Sequence, residues 1–507
     1  MNPVLLIHGY SAESNTSTAQ AIRAIYGDLP RQLQVNLPTP VVTLDVSRYI
    51  TLEDGVTVDD ISRALDRALR AEIENLHQTL GIPSTQKIRF NVIIHSTGAL
   101  VVRNYLRRFW NPAEDCVFER IVYLAGAIHG SALAHLGRTE AAKWIRMIFQ
   151  GAARGLGVLN CLELGSKWAI QMNLEFQDKV DAAQNKAPME FAMIGSQPLD
   201  SMWVIPKEET HEWGSDGVVR SPAGNPNLSY YLFEAKDEFV GLEGWEVAKL
   251  EEKGFNATPR TVRKPERIDE YYHVTKRRRP NEGKQRRVPY ALIWDCSHSQ
   301  GDTSIVDGRR TRDQVLPLVN LAFNTTWNTM PTATIEFDAA LQRTREMAKA
   351  APNRRQRLVI EIDPRGQYGQ FAQVVFRLFD HEGQPVRHFN IFFNSFGGSA
   401  PPRRLINDAF DDAHANELDR NTITFFLRLT DWNPATKQWD QIIDQVSGCT
   451  IEIDAQEPDS PNISYLPFRY QLDAAHLKEF LSPYETTVVD IKMQRVPSGN
   501  VFKISRA

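Results

Sequence analysis

The sequence predicts a doubly wound, mostly parallel α/β sheet over residues 1–330, followed by an all-β, sandwich-like domain over residues 331–507. Three observations lead there. Up to about residue 330, short aliphatic runs alternate with segments of helical periodicity, the signature of strands joined by crossover helices. Beyond Met330, strand-like runs succeed one another across turn residues with no long helix between them, as in a β-sandwich. A chain of 507 residues, 42% hydrophobic and 24% charged, also has the composition and the length for two globular domains.

In chain order, Val4–Ile7, Val41–Val46, Arg89–Ile94 and Arg120–Ala125 read as buried strands, being short, rich in Val, Ile and Leu, and closed by turn residues. Between the second and third, Val58–Leu80 carries Ile61, Leu65, Leu69, Ile73 and Leu76 at helical spacing. An apolar helical insertion follows at about 132–188. One of its stripes is Trp144, Ile145, Ile148 and Phe149; a second set runs from Leu156 and Leu159 through Trp168, Ile170 and Met172. Phe191–Ile194 and Tyr290–Trp294 are the later strands of the first domain. In the second domain the expected strands are Arg357–Ile362, Phe371–Phe379, Phe389–Phe393, Thr422–Leu429, Thr450–Ile453, Tyr465–Tyr470, Thr486–Met493 and Val501–Ile504.

Charge and cysteine usage exclude several function classes. A net charge of −4 is too close to neutral for a dedicated nucleic-acid binder. No apolar run approaches the ~18–20 residues of a membrane span. Met1-Asn2-Pro3 leads straight into an apolar strand without a charged n-region, so the expectation is a cytoplasmic protein, or one exported without a cleavable signal peptide. Four scattered cysteines form neither a disulfide framework nor a zinc module. His211-Glu212 does not extend to a metalloprotease motif, and Asn407, Asp408, Asp411, Asp412, Glu417 and Asp419 read as a solvated acidic loop, with calcium binding as the alternative, so no metal and no cofactor is expected. Arg260–Arg287 holds eleven Lys/Arg against four Asp/Glu, a net +7 centred on Lys276-Arg277-Arg278-Arg279. It reads as a solvated loop, with contact to an anionic lipid surface as the functional alternative.

Three separated segments fit one catalytic device. In Val92-Ile93-Ile94-His95-Ser96-Thr97-Gly98 an apolar strand runs into Ser96 and an amphipathic helix leaves it, the context of a nucleophile elbow. Gly98 supplies the small residue at +2, whereas Ile94 stands at −2, where glycine is commonest. In Val4-Leu5-Leu6-Ile7-His8-Gly9-Tyr10 a strand ends in His-Gly, where a backbone N–H can hold a developing oxyanion. The expected donors are the N–H groups of Tyr10 and Thr97. Serine needs a histidine to take its proton, and the histidine needs a carboxylate to fix its tautomer. In the order Ser…Asp/Glu…His, Asp216 of the glycine-flanked loop Gly214-Ser215-Asp216-Gly217 is the expected acid. His298, just after the strand Tyr290–Trp294, is the expected base; His273 remains its rival.

Taken together, Leu6–Tyr10, Ile94–Arg103, Ser215–Arg220 and Leu124–Ala134 resemble the corresponding segments of α/β-hydrolase-fold lipases and esterases, over roughly residues 3–320. The resemblance implies a serine hydrolase of carboxylic esters with an acyl-ester or lipid substrate. It also implies that the insertion is a cap whose Trp144, Ile148, Leu159 and Trp168 line an acyl pocket. A hydrolase scaffold with lapsed chemistry acting in binding, and an acyltransferase or amidase using the same triad, are the alternatives. The C-terminal β region resembles no family.

Overall fold

The structure is a computed structural model that describes residues 2–9, 26–36, 41–44, 55–131, 156–197, 213–240, 271–299, 301–350, 364–397 and 409–497. The chain divides into two compact units: unit 1 holds Met1–Asn227, Pro280–Gly369 and Pro434–Gln438, and unit 2 holds Leu228–Arg279, Gln370–Asn433 and Trp439–Ala507.

Unit 1 begins with β1 (Val4–Ile7), α1 (Leu29–Asn36), β2 (Val41–Leu44), α2 (Val58–Thr79), β3 (Phe90–His95), α3 (Gly98–Phe109) and β4 (Phe118–Leu124). It continues through α4 (Leu156–Leu162), α5 (Lys167–Ala183) and β5 (Met189–Gly195). After β6 (Leu228–Ala235) and β7 (Tyr272–Arg278), which belong to unit 2, it returns with β8 (Tyr290–Ile293), α6 (Arg312–Asn324) and α7 (Met330–Ala350). Helix α2 starts at a capping box in which the Thr57 hydroxyl accepts from Asp60 N–H and the Asp60 carboxylate accepts from Thr57 N–H. Its buried Ile61, Leu65, Leu69 and Leu76 form the face that the spacing predicts.

The sheet of unit 1 runs β2-β1-β3-β4-β5-β8 and every pairing is parallel. The winding leaves β1 one way toward β2 and the other way toward β3, which is the doubly wound pattern of the α/β-hydrolase fold. Right-handed crossovers on the two sides of such a reversal cover opposite faces, and a crevice opens between β1 and β3 at their carboxyl ends. His8-Gly9 and Ser96 stand at those two ends. Helices α2, α3 and α5 pack as one layer, while α6 packs on β4 and α7 on β8.

Unit 2 is a sandwich. Its larger sheet, β11 (Phe410–Ala415), β12 (Thr422–Arg428), β9 (Phe371–Asp380), β18 (Thr486–Met493), β6 and β7, is mixed, since β18 runs parallel to both β9 and β6. The smaller is the antiparallel set β10 (Phe389–Phe396), β15 (Gly448–Ala455) and β17 (Phe468–Asp473), while among the described residues β13 (Thr430–Asn433) and β14 (Gln438–Gln441) pair only with each other. The core joins Phe233, Phe376 and Val489 of one sheet to Ile451, Ile453 and Phe468 of the other, with Phe233 and Phe468 edge to face at 5.1 Å.

The structure departs from the sequence-based partition at several places. The segment Leu228–Arg279, expected in the first domain, belongs to unit 2, and α7, beyond the expected boundary, belongs to unit 1. There Phe337 packs on Phe191 at 5.6 Å and Thr344 Oγ1 donates to Leu292 O. The centre of the basic run is not in a loop: Lys276, Arg277 and Arg278 lie on β7, where side chains alternate between faces. Lys276 and Arg277 are exposed, Arg278 is buried, and Arg279 pairs with Glu479 at 2.6 Å. The expected Tyr465–Tyr470 strand is two, β16 (Ile463–Tyr465) and β17. Asp411 and Asp412 lie on β11 rather than in a loop. The expected strands Arg357–Ile362 and Val501–Ile504 lie outside the described residues, as do Asn407 and Asp408.

Candidate active site

Ser96 sits between β3 and α3 with φ +55, the left-handed region that a residue with a Cβ adopts only when its surroundings enforce it. The enforcing bonds are visible. Ser96 N–H donates to Leu124 O at 3.3 Å, and Ser96 O accepts from Ala99 N–H at 3.1 Å and Ala127 N–H at 3.2 Å. Ala125 and Asp295, just past β4 and β8, share the positive φ, so three turns at the carboxyl edge of the sheet are held in this sparsely populated region. Each such residue costs on the order of 1–3 kcal/mol.

The elbow is tight despite Ile94. A Cβ at Gly98 would lie 3.0 Å from Ile94 Cγ2, 3.1 Å from His8 O and 3.2 Å from Ile7 O, so the missing side chain at 98 makes the room that Ile94 uses. Gly9 matters for a second reason. A Cβ there would stand 2.7 Å from Ser96 Cβ and 3.0 Å from Thr97 N, filling the space beside the serine.

Asp216 and His298 arrive from loops at the same edge. His298 Nε2 is 3.0 Å from Ser96 Oγ and His298 Nδ1 is 2.9 Å from Asp216 Oδ2, across separations of 202 and 82 residues. The other carboxylate oxygen, Oδ1, accepts from the N–H groups of Val218 at 3.0 Å and Val219 at 2.8 Å, which fixes the rotamer. The two loops are also tied by main chain, His298 N–H to Asp216 O at 3.1 Å. All three side chains are buried. His95 lies against His298 with ring centroids 4.7 Å apart, and its Nε2 donates to His298 O at 3.1 Å. Burial, and then the neighbouring His298, hold the His95 imidazole well below its usual range and therefore neutral, which suits a donor to a carbonyl.

Ser96, Asp216 and His298 are thus brought together. His273 is on β7 of unit 2, exposed and opposite Glu234. Thr97 is the N-cap residue of α3, directly after the serine; Tyr10, Trp144 and Ile148 lie outside the described residues. Leu159 is buried on the short helix α4, and Trp168 is half-buried in the first turn of α5. Helix α5, expected within a cap, is a crossover helix between β4 and β5 that packs on α3, with Ile170, Met172 and Phe176 buried. Sequence reasoning missed Gln367, whose side chain accepts from Gly214 N–H at 3.2 Å and donates to Ser215 O at 2.6 Å. An isolated glutamine 150 residues downstream of the acid loop leaves no local signal.

All four cysteines are free and buried, and no group of three or more His, Cys, Asp or Glu side chains among the described residues could hold a metal ion. No helix among the described residues is long and apolar enough to cross a membrane.

No protein-family model matches the chain, and no curated protein matches its sequence. Among solved structures it is similar to phospholipase PlaB from Legionella pneumophila, at 23% identity and a TM-score of 0.75, covering 100% of this chain and 96% of that one. The same phospholipase in complex with thio-NAD gives a TM-score of 0.72 at 23% identity and the same coverage. The likeness runs over both units and establishes the fold: an α/β-hydrolase unit together with a β unit.

Proposed function

We propose that this chain is a serine hydrolase of carboxylic esters, acting on lipid or other acyl esters through an acyl-enzyme on Ser96. The observation that carries the reading is the relay Ser96 Oγ–His298–Asp216, with both links at or below 3.0 Å. Asp216 holds the proton on Nδ1 and leaves Nε2 to accept the serine proton as Oγ attacks the ester carbonyl. The imidazolium that forms is stabilised by the adjacent carboxylate and then protonates the departing alcohol. The Thr97 N–H, with that of Tyr10, holds the oxyanion, and water activated by the same histidine releases the acid. Whole-chain likeness to a phospholipase supports lipid as the substrate class. Lys276 and Arg277, both exposed on β7, are the groups that would meet an anionic lipid surface.

Ser96→Ala is expected to give a folded protein with at least ~10³-fold less hydrolysis of a chromogenic short-chain ester. His298→Ala should match it, and Asp216→Asn should cost less. Wild-type Ser96 should carry the adduct of a fluorophosphonate probe. Undiminished turnover by the alanine variant at 96 would end the serine reading. Absence of the adduct would favour a binding protein on a hydrolase scaffold, and ester exchange to added alcohols would favour an acyltransferase.

A further inference from the structure

The turn Pro364–Tyr368 touches both loops that bring groups to Ser96. Gly366 lies on the indole of Trp213, where an added Cβ would stand 2.8 Å from Cζ3. Gln367 is buried, and its amide satisfies one donor and one acceptor of the acid loop, Gly214 N–H and Ser215 O, in the two residues immediately before Asp216. Tyr368 stacks on Trp294 at 4.5 Å and 26°, and its hydroxyl lies against Ser196 and the Asp295 backbone. Trp294 and Asp295 lead into His298. Ser196 in turn donates to Ile293 O at 2.6 Å, tying the end of β5 to the end of β8.

Three consecutive residues therefore brace the acid loop and the base loop from a single point. We propose that Gln367, assisted by Tyr368, is a positioning residue that sets the Asp216 carboxylate against His298. The proposal rests on the serine-hydrolase reading above. The Asp216 loop has glycines at 214 and 217, both at positive φ; Asp216 N–H to Val219 O and Ser221 N–H to Gly214 O hold its peptides from within, and Gln367 holds the groups at Gly214 N and Ser215 O that these leave. An amide that offers one acceptor and one donor to two adjacent peptide groups fixes both planes at once. Without it, the peptide holding Asp216 can tilt, and misplacement of ~1 Å in catalytic geometry costs on the order of 10²-fold in rate.

The test uses the full chain with two near-isosteric changes, Gln367→Met, which removes both hydrogen bonds, and Tyr368→Phe, which removes only the hydroxyl and keeps the stack. Active sites are titrated with a fluorophosphonate, and kcat per titrated site and KM are measured on a small soluble ester. For Gln367→Met we expect kcat per site to fall by ~10- to 100-fold with KM within about twofold, and the labelling rate to fall with kcat. Tyr368→Phe should lower kcat per site by at least about threefold in the same manner. A reduced titre with unchanged kcat per site would mean that the turn serves folding alone, and would overturn the proposal. Should Gln367→Met fail to fold, Tyr368→Phe decides: unchanged kcat per site overturns it. Failure of the wild type to label at all would instead refute the serine reading, which keeps the two failures distinct.

Discussion

At the scale of single residues, the buried histidines make the stability of unit 1 sensitive to acid. Burial lowers the His129 imidazole to about 3, Arg103 pushes the same way, and a backbone hydrogen bond at Asn225 opposes them. His95 is depressed by burial and by His298 and His8. Both are neutral in the folded chain, while in the unfolded chain each takes up a proton near pH 6.5. The stability they allow is full above about pH 6.5 and is lost as pH falls toward the folded value. At pH 4.5 a single such histidine costs about 2–3 kcal/mol. His129 Nε2 has no hydrogen-bond partner, so His129→Gln can remove the titration without breaking a bond at that atom. The expected outcome is a smaller drop in thermal midpoint between pH 7 and 4.5 for the variant than for the wild type. Equal drops would mean that acid sensitivity arises elsewhere.

At the scale of elements, α3 is fixed to the sheet by a buried charge as well as by apolar packing. Arg103 is fully buried; it donates to Glu190 at 2.6 Å, to Asn173 at 2.8 Å and to the Tyr123 hydroxyl at 3.1 Å, and lies 4.9 Å from the ring of Phe176. Through these partners α3, β4, β5 and α5 are joined beneath the elbow. Arg103→Leu leaves the Glu190 carboxylate buried with only the Tyr123 hydroxyl as a partner within this cluster, which is expected to cost about 3–5 kcal/mol. Adding Glu190→Leu should recover much of that loss, because it removes the stranded charge. Denaturant titrations of the three variants check this, and a double variant as unstable as the sum of the single ones would contradict it.

What the sequence disclosed and what it hid follow from the same elements. Strands β1, β3, β4, β5 and β8 were legible because a strand buried on both faces is a short aliphatic run. The convergence of Ser96, Asp216 and His298 is legible because each follows such a run or sits in a glycine-flanked loop. The place of helix α5 between β4 and β5 is not legible, since an apolar stripe with Asn173 inside it reads alike for a cap and for a crossover helix. Gln367 was hidden because its partners are peptide groups, which carry no sequence signature.

At the scale of the whole molecule, two units are built from a chain that leaves the first and returns to it. Strands β6 and β7 leave unit 1 after Asn227 to complete a sheet whose other members lie beyond residue 370. A contiguous division at residue 330 could not capture that, because parallel pairing of β18 with β6 links residues about 260 positions apart. The excursion also decides how the basic run can act. On an edge strand, Lys276 and Arg277 point to opposite faces, and Arg278 and Arg279 are taken up by burial and by Glu479. Two exposed cations near an anionic membrane contribute about 1 kcal/mol each, so this pair can supply up to ~30-fold of a preference for anionic vesicles. Wild-type activity on anionic vesicles should exceed that on zwitterionic ones at low salt, and added salt should erode the difference. Changing Lys276 and Arg277 together to Gln should reduce the preference while leaving hydrolysis of a small neutral ester unchanged. Equal wild-type rates on the two vesicle types would leave these charges the role that lysines have on many edge strands, that of keeping an open row of peptide groups from pairing with another chain.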